Sequence, residues 1–192
     1  MNSWRQIFSE DILIPRRIEQ RQEDRLKSIY RILQQTRIEG DLELRNLPIA
    51  SLGNVEYISG DVLLSGIFIT SLSNLSYIGG DFSLWKIPIT SLNNLKYIGG
   101  NLSLWDSPVV SFANLKYVGG FLDLGVNTPV ADLGNLEHVG SYLNLRRAPI
   151  TSLGNLEYVG GHLDLRDTPI AKMSKVQRKE ILKNVKSSDI WL

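Results

Sequence analysis

Asp41, Asp61 and Asp81 recur at a spacing of 20 residues, each directly after a glycine. Stacked on successive turns of a coil, their carboxylates lie about 5 Å apart. That is near the separation used by retaining glycosidases, and it suits calcium chelation. Aspartate beside a glycine corner readily bonds local backbone instead, and that is the reading adopted for this row. His162 and Asp164 alternate along one segment and so share a strand face, as an acid–base dyad would. A dyad needs a nucleophile, and Ser103, at a matching position, lies about three turns or roughly 14 Å away. No glycine-rich loop precedes a Lys-Ser or Lys-Thr pair, no metal-ligand spacing occurs, and the chain has no cysteine. The expectation is a protein that is not an enzyme and has no metal and no cofactor. Large aromatic and basic residues remain, and these suit binding.

The elements that must position them come from one repeat. Residues 80–99 read GDFSLWKIPITSLNNLKYIG and residues 100–119 read GNLSLWDSPVVSFANLKYVG. A fixed period of about 20 residues is the signature of a solenoid, in which each turn contacts mainly its neighbours. Turns run 40–59, 60–79, 80–99, 100–119, 120–140 and 141–160, and a seventh opens at Gly161. Each has an alternating segment such as Leu102-Ser103-Leu104, a corner such as Pro108, an extended piece such as Val109 to Phe112, and an Asn-Leu-x-Tyr-Val run. Alternation between turn residues predicts strands. Glycine pairs at 79–80, 99–100, 119–120 and 160–161 mark corners that want either φ > 0 or close backbone approach. One extra residue in Gly125-Val126-Asn127-Thr128 is expected to form a loop or bulge.

The ends read differently. Residues 1–39 hold no glycine; Pro15 suits a first helical turn, and Leu26, Ile29, Tyr30 and Leu33 fall on one helical face. Trp4, Ile7 and Phe8 are expected to tuck against that helix. Ser174 and Gln177 have capping-box spacing and open a helix over 174–186, with Val176, Ile181, Leu182 and Val185 inward. Ile190 and Leu192 then offer a closing strand. The organisation expected is an N-terminal helical cap over 1–39, about seven solenoid turns over 40–171, and a C-terminal helix and strand over 172–192. The fold class is mainly β, a right-handed parallel β-solenoid with α-helical caps at both ends.

With 21 basic and 20 acidic residues among 192, the net charge of +1 pushes the protein towards neither nucleic acid nor a membrane surface. No apolar run is long enough to span a bilayer. A soluble, cytoplasmic protein is expected.

In a coil, equivalent residues form physical rows. The row Asn54, Asn74, Asn94, Asn114, Asn135, Asn155 is expected to bond backbone of the adjacent corner. The row Tyr57, Tyr77, Tyr97, Tyr117, His138, Tyr158 is read as a stacked scaffold, with an aromatic binding ladder as the alternative. The outward positions of the Leu-x-Leu strand vary more. They run from Asp41, Asp61 and Asp81 through Leu63, Trp85, Trp105, Phe121 and Tyr142 to Arg146, His162 and Arg166. Nothing in a coil requires exposed tryptophan, and such patches mark binding sites. Leu63, Trp85, Trp105, Phe121, Tyr142, Arg146, His162 and Arg166 are therefore the candidate partner-binding residues. The alternative is that these side chains lie flat on neighbouring turns or are covered by the caps. A protein partner is expected. Carbohydrate stacking on Trp85 and Trp105 is the main alternative, and homodimerisation through the same face is another. Single-stranded nucleic acid is disfavoured by the acidic row.

At Leu95-x-x-Ile98-x-Gly100-x-Leu102-x-Leu104 and its equivalents, the sequence resembles the leucine-rich-repeat superfamily. It is closer to the short β-helical turns of receptor L-domains and to uncharacterised bacteriophage, large-virus and bacterial repeat proteins. The usual repeat places Asn or Cys where this chain has Leu47, Ile67, Ile87 and Ser107. That departure implies a flatter, more β-helical coil than a horseshoe. The resemblance implies a macromolecular partner, and likeness to phage arrays implies action on a host factor.

Overall fold

A computed structural model describes residues 16–125 and 127–192 of the chain. Pro15, the segment of Trp4, Ile7 and Phe8, and Val126 of the fifth-turn loop lie outside the described residues. The chain divides into two units, Met1–Ile32 and Leu33–Leu192.

In the first unit, helix α1 spans Arg16–Ile32. Ile29 is buried and Glu23, Leu26 and Ile32 are half-buried, whereas Tyr30 is 50% exposed. The covered stripe follows the i, i+3 line through these residues. Tyr30, about 100° round the helix from Ile29, falls outside it, which corrects the stripe read from the sequence.

The second unit is a parallel β-solenoid. One ladder is made by β1 (Arg37–Ile38), β3 (Tyr57–Ile58), β5 (Tyr77–Ile78), β7 (Tyr97–Ile98), β9 (Tyr117–Val118) and β11 (His138–Val139). The other is made by β2 (Leu42–Arg45), β4 (Val62–Ser65), β6 (Phe82–Ser83), β8 (Leu102–Ser103), β10 (Leu122–Asp123) and β12 (Leu143–Asn144). Strand β13 (Tyr158–Asp164) runs through both ladders. Register is that of the repeat: Leu102 pairs with Phe82 and with Leu122, and Tyr97 with Tyr77 and with Tyr117. The aliphatic rows face inward, and Leu84, Leu104, Leu124 and Leu145 have no exposed surface. No turn can bury these side chains on both sides by itself, so stacking supplies the core.

The glycine pairs serve close approach, because none of their eight residues has positive φ. A Cβ on Gly99 would lie 2.2 Å from the Gly79 carbonyl oxygen, and one on Gly100 would lie 2.2 Å from Asp81 Oδ1. The left-handed corners sit elsewhere. One follows the Leu-x-Leu strand, at Asn46, Gly66, Lys86, Asp106, Arg147 and Asp167. The other holds Gly53, Ser73, Asn93, Ala113, Gly134 and Gly154, each of whose N–H donates to the side chain two residues earlier, a serine or Asp132. That side chain closes a local turn and supports the strained backbone.

The inward row Leu47, Ile67, Ile87 continues as Ser107 and Thr128. Thr128 Oγ1 has a single proton to donate and lies 2.5 Å from the Leu124 carbonyl oxygen and 2.9 Å from that of Leu104, but Ser107 Oγ, on a residue only 1% exposed, has no hydrogen-bond partner among the described residues. Ser107→Ala removes a buried hydroxyl without orphaning a partner. It is expected to leave the thermal unfolding free energy unchanged or raise it by up to about 1 kcal/mol. A loss larger than that would show that the hydroxyl is engaged.

At the C-terminal end, α2 (Lys175–Leu182) opens on the reciprocal Ser174–Gln177 capping box. It ends at Leu182, earlier than expected. Ile181, Leu182 and Val185 are half-buried, but Val176 is 80% exposed. Arg178 takes the inward line in its place, donating from Nη1 to the Ala171 carbonyl at 2.8 Å. Strand β14 (Lys186–Trp191) is the closing rung, parallel to β13, with Ile190 opposite Leu163.

Candidate partner-binding face

The outward positions of β2, β4, β6, β8, β10, β12 and β13 form one continuous sheet face, beginning with the aspartate row. Asp41 Oδ1 accepts the Asp61 N–H at 2.8 Å, Asp61 Oδ1 the Asp81 N–H at 2.7 Å, and Asp81 Oδ1 the Asn101 N–H at 2.7 Å. Asn101 Oδ1 continues the series to Phe121 N at 2.9 Å. The aspartates bond backbone beside the glycine corner, as the sequence suggested, and the N–H comes from the turn above. The missing glycine side chains make room for the carboxylates, since a Cβ on Gly60 would lie 2.1 Å from Asp41 Oδ1.

At Phe121 the row becomes aromatic. Phe121 stacks on Tyr142 at 4.8 Å between ring centroids, Tyr142 on His162 at 5.3 Å, and His162 on Trp191 at 4.2 Å. Burial, with the Asp123 carboxylate adding, pushes the Tyr142 hydroxyl pKa up. The closing strand thus supplies a fourth aromatic that sequence reasoning missed; Trp191 falls outside the 20-residue period, so no column pointed to it.

The His162–Asp164 pair, set aside as a dyad for want of a nucleophile, is otherwise engaged. Asp164, only 5% exposed, accepts Arg166 Nε at 3.0 Å and Arg166 Nη2 at 2.7 Å, and the guanidinium lies 4.8 Å from the Trp191 ring. Arg146 Nε donates to Asp167 at 3.2 Å. Both arginines expected to face a partner therefore already hold carboxylates of the solenoid. Burial raises the Asp164 pKa, but hydrogen bonds and charge from Arg166 outweigh that and hold it below its ordinary value. A folded-state pKa below the unfolded one stabilises above the ordinary carboxylate range, about pH 4. The contribution is lost as pH falls through the lowered folded value. Below about pH 4, the urea midpoint of the natural chain is expected to fall more steeply with acidification than that of Asp164→Asn; equal slopes would overturn this.

The two tryptophans differ. Trp105 lies on its neighbour: a Cβ on Gly125 would come within 2.7 Å of the indole Cγ and Cδ1, and Trp105 Nε1 donates to Asp123 Oδ2 at 2.9 Å. The residue is 46% exposed, yet its ring is pinned. Trp85 is 54% exposed, with Lys86 Nζ 4.9 Å from its ring centroid. Leu63 is half-buried between Glu43 and Ser83. Phe68, 82% exposed at the corner beyond β4, was missed. The signal was present, since it alone interrupts the column Pro48, Pro88, Pro108, Pro129, Pro149, Pro169.

On the opposite ladder, Tyr57, Tyr77, Tyr97, Tyr117, His138 and Tyr158 stack ring on ring at 4.5 to 4.7 Å. Arg37 covers the Tyr57 ring at 3.6 Å. Asn94, Asn114 and Asn135 donate from Nδ2 to backbone carbonyls of the preceding turn, at 3.1, 2.9 and 2.8 Å. Both regular rows bind turns together.

Fold and face together define a parallel β-solenoid repeat protein with turns of about 20 residues. Comparison with family models, with curated proteins and with solved structures gives no match. Among the described residues, no helix is long and apolar enough to cross a membrane.

Proposed function

We propose that this chain is a non-catalytic binding module that takes a protein partner on the outward face of its even-numbered strands. The observation that carries the reading is Trp85, an indole more than half exposed in the turn directly after β6, at the edge of the outward strand positions. Exposed tryptophan of this kind is enriched among the residues that dominate binding energy. Leu63, opposite Ser83 in the register, and Phe68, exposed at the corner beyond β4, add apolar surface. The Leu-x-x-Ile-x-Gly-x-Leu-x-Leu pattern supports counting the chain with leucine-rich-repeat-like proteins. A phage or bacterial protein acting on a host factor is the form of the function that this likeness favours.

Trp105 favours a second reading, carbohydrate binding. An indole pinned against backbone at Gly125 and held through Nε1 is a rigid platform of the kind on which a sugar ring stacks. The test is to capture a partner with the natural chain and repeat with Trp85→Ala, alongside a glycan array read with Trp105→Ala. A protein partner retained equally by Trp85→Ala overturns the first reading. Sugar binding lost in Trp105→Ala establishes the second.

A further inference from the structure

The ladder that opens the strand face needs acceptors, and it does not need charge. Asp41, Asp61 and Asp81 each accept one N–H from the turn above, and Asn101 makes the same bond with an amide oxygen. An amide therefore meets every structural demand of this row. Three carboxylates occupy it nonetheless, at about 4.8 Å per turn, and like charges at that separation repel. Asn101 Nδ2 donates to both oxygens of Asp81, at 3.0 and 3.1 Å, which relieves that end. Asp41 and Asp61 are exposed and form no ion pair among the described residues. The nearby cations are occupied: Arg45 is paired with Glu43, and Lys86 lies over Trp85. Unneutralised negative charge thus flanks one end of the outward strand positions, with Trp85 exposed in the turn at the other end, in a place where the fold would accept asparagine.

We infer that this half of the face takes a lysine- or arginine-rich segment of the partner, with its cations along the Asp41, Asp61, Asp81 row and its apolar side chains on Trp85. The inference rests on the face being a protein-binding surface, and it names the chemistry of what binds. Basic residues three or four apart on a helix are about 4.5–6 Å apart along its axis, which brackets the repeat of the row. Complementary charge speeds encounter and fixes register, while the indole supplies the anchor. A polyanion such as nucleic acid meets the same charges as repulsion.

The test uses the full chain and three labelled peptides of equal length with identical leucines, the other positions being Lys/Arg, Gln or Glu. Fluorescence anisotropy is read at about 0.01 M and about 0.15 M salt. The basic peptide is expected to bind most tightly, and more weakly at the higher salt. The Asp41→Asn, Asp61→Asn double variant, which keeps both ladder acceptors, is expected to lose about five- to tenfold in affinity at low salt. Asp61→Asn alone is expected to lose about two- to threefold, which keeps the test open if the double variant misfolds. No binding of the basic peptide by the natural chain, or unchanged affinity in both variants, overturns the inference. If the Gln or Glu peptide binds equally well and is lost in Trp85→Ala, the binding face stands and the basic partner falls.

Discussion

Alanine at Gly99 is expected to destabilise the solenoid by about 3 kcal/mol, at the upper end of what overpacking costs, because the atoms it meets cannot yield. Gly99 has no positive φ, so alanine is not strained there by its own backbone. The obstacle is the neighbouring turn. The new Cβ would lie 2.2 Å from the Gly79 oxygen and 3.0 Å from its carbon, both backbone atoms. The same column continues through Gly119, whose Cβ would meet Gly99 O at 2.1 Å. Relief requires spreading the turns, and that breaks the inter-turn bonds from Gly99 N to Ile78 O at 2.8 Å and from Gly100 N to Gly80 O at 3.0 Å. Gly134 is the matched control. Its φ is +58° and nothing lies within 4 Å of its would-be Cβ, so alanine there is expected to cost only about 1 kcal/mol. Urea unfolding of the two variants checks the account, and equal losses would overturn it.

Trp85→Ala is expected to leave unfolding free energy within about 0.5 kcal/mol of the natural chain and to weaken a captured partner by about 2 kcal/mol, roughly thirtyfold. Trp105→Ala is expected to behave differently. It removes the indole that lies on Gly125 and the donor to Asp123 Oδ2, and should cost about 1–2 kcal/mol of stability whatever happens to binding. Asp123 also accepts from Gly125 N at 2.8 Å and from Asn144 Nδ2 at 2.9 Å, so loss of the indole uncovers a shared acceptor. Thermal unfolding and binding measured on both variants separate the two roles. A Trp85→Ala protein as destabilised as Trp105→Ala would make Trp85 part of the scaffold and remove it from the site.

The exchange of Asp for Asn at position 101 illustrates how much of this face was legible beforehand. A 20-residue period and a Leu-x-Leu alternation specify that Asp41, Asp61, Asp81 and Asn101 stand in one column and point outward, and the hydrogen bonds follow that register. The tyrosine and asparagine rows were legible for the same reason: stacking and backbone capping repeat with the backbone itself. Phe68 was equally legible as a break in the proline column, but it stands at the corner beyond β4, outside the alternating positions that define the strand face.

Sequence alone determined which residues share a row, which rows face in, and that the chain closes with a helix and a strand, because these depend on period and alternation along the backbone. Tertiary structure alone decided which tryptophan is pinned, why the glycine pairs are glycine, and where Arg146 and Arg166 spend their charge. Each of those depends on atoms of an adjacent turn: the space over Gly125, the carbonyl of Gly79, the carboxylates of Asp167 and Asp164. A repeat specifies which residues are neighbours, but their contacts depend on side-chain rotamers and on departures from the repeat, such as the extra residue of the fifth turn and the aperiodic Trp191.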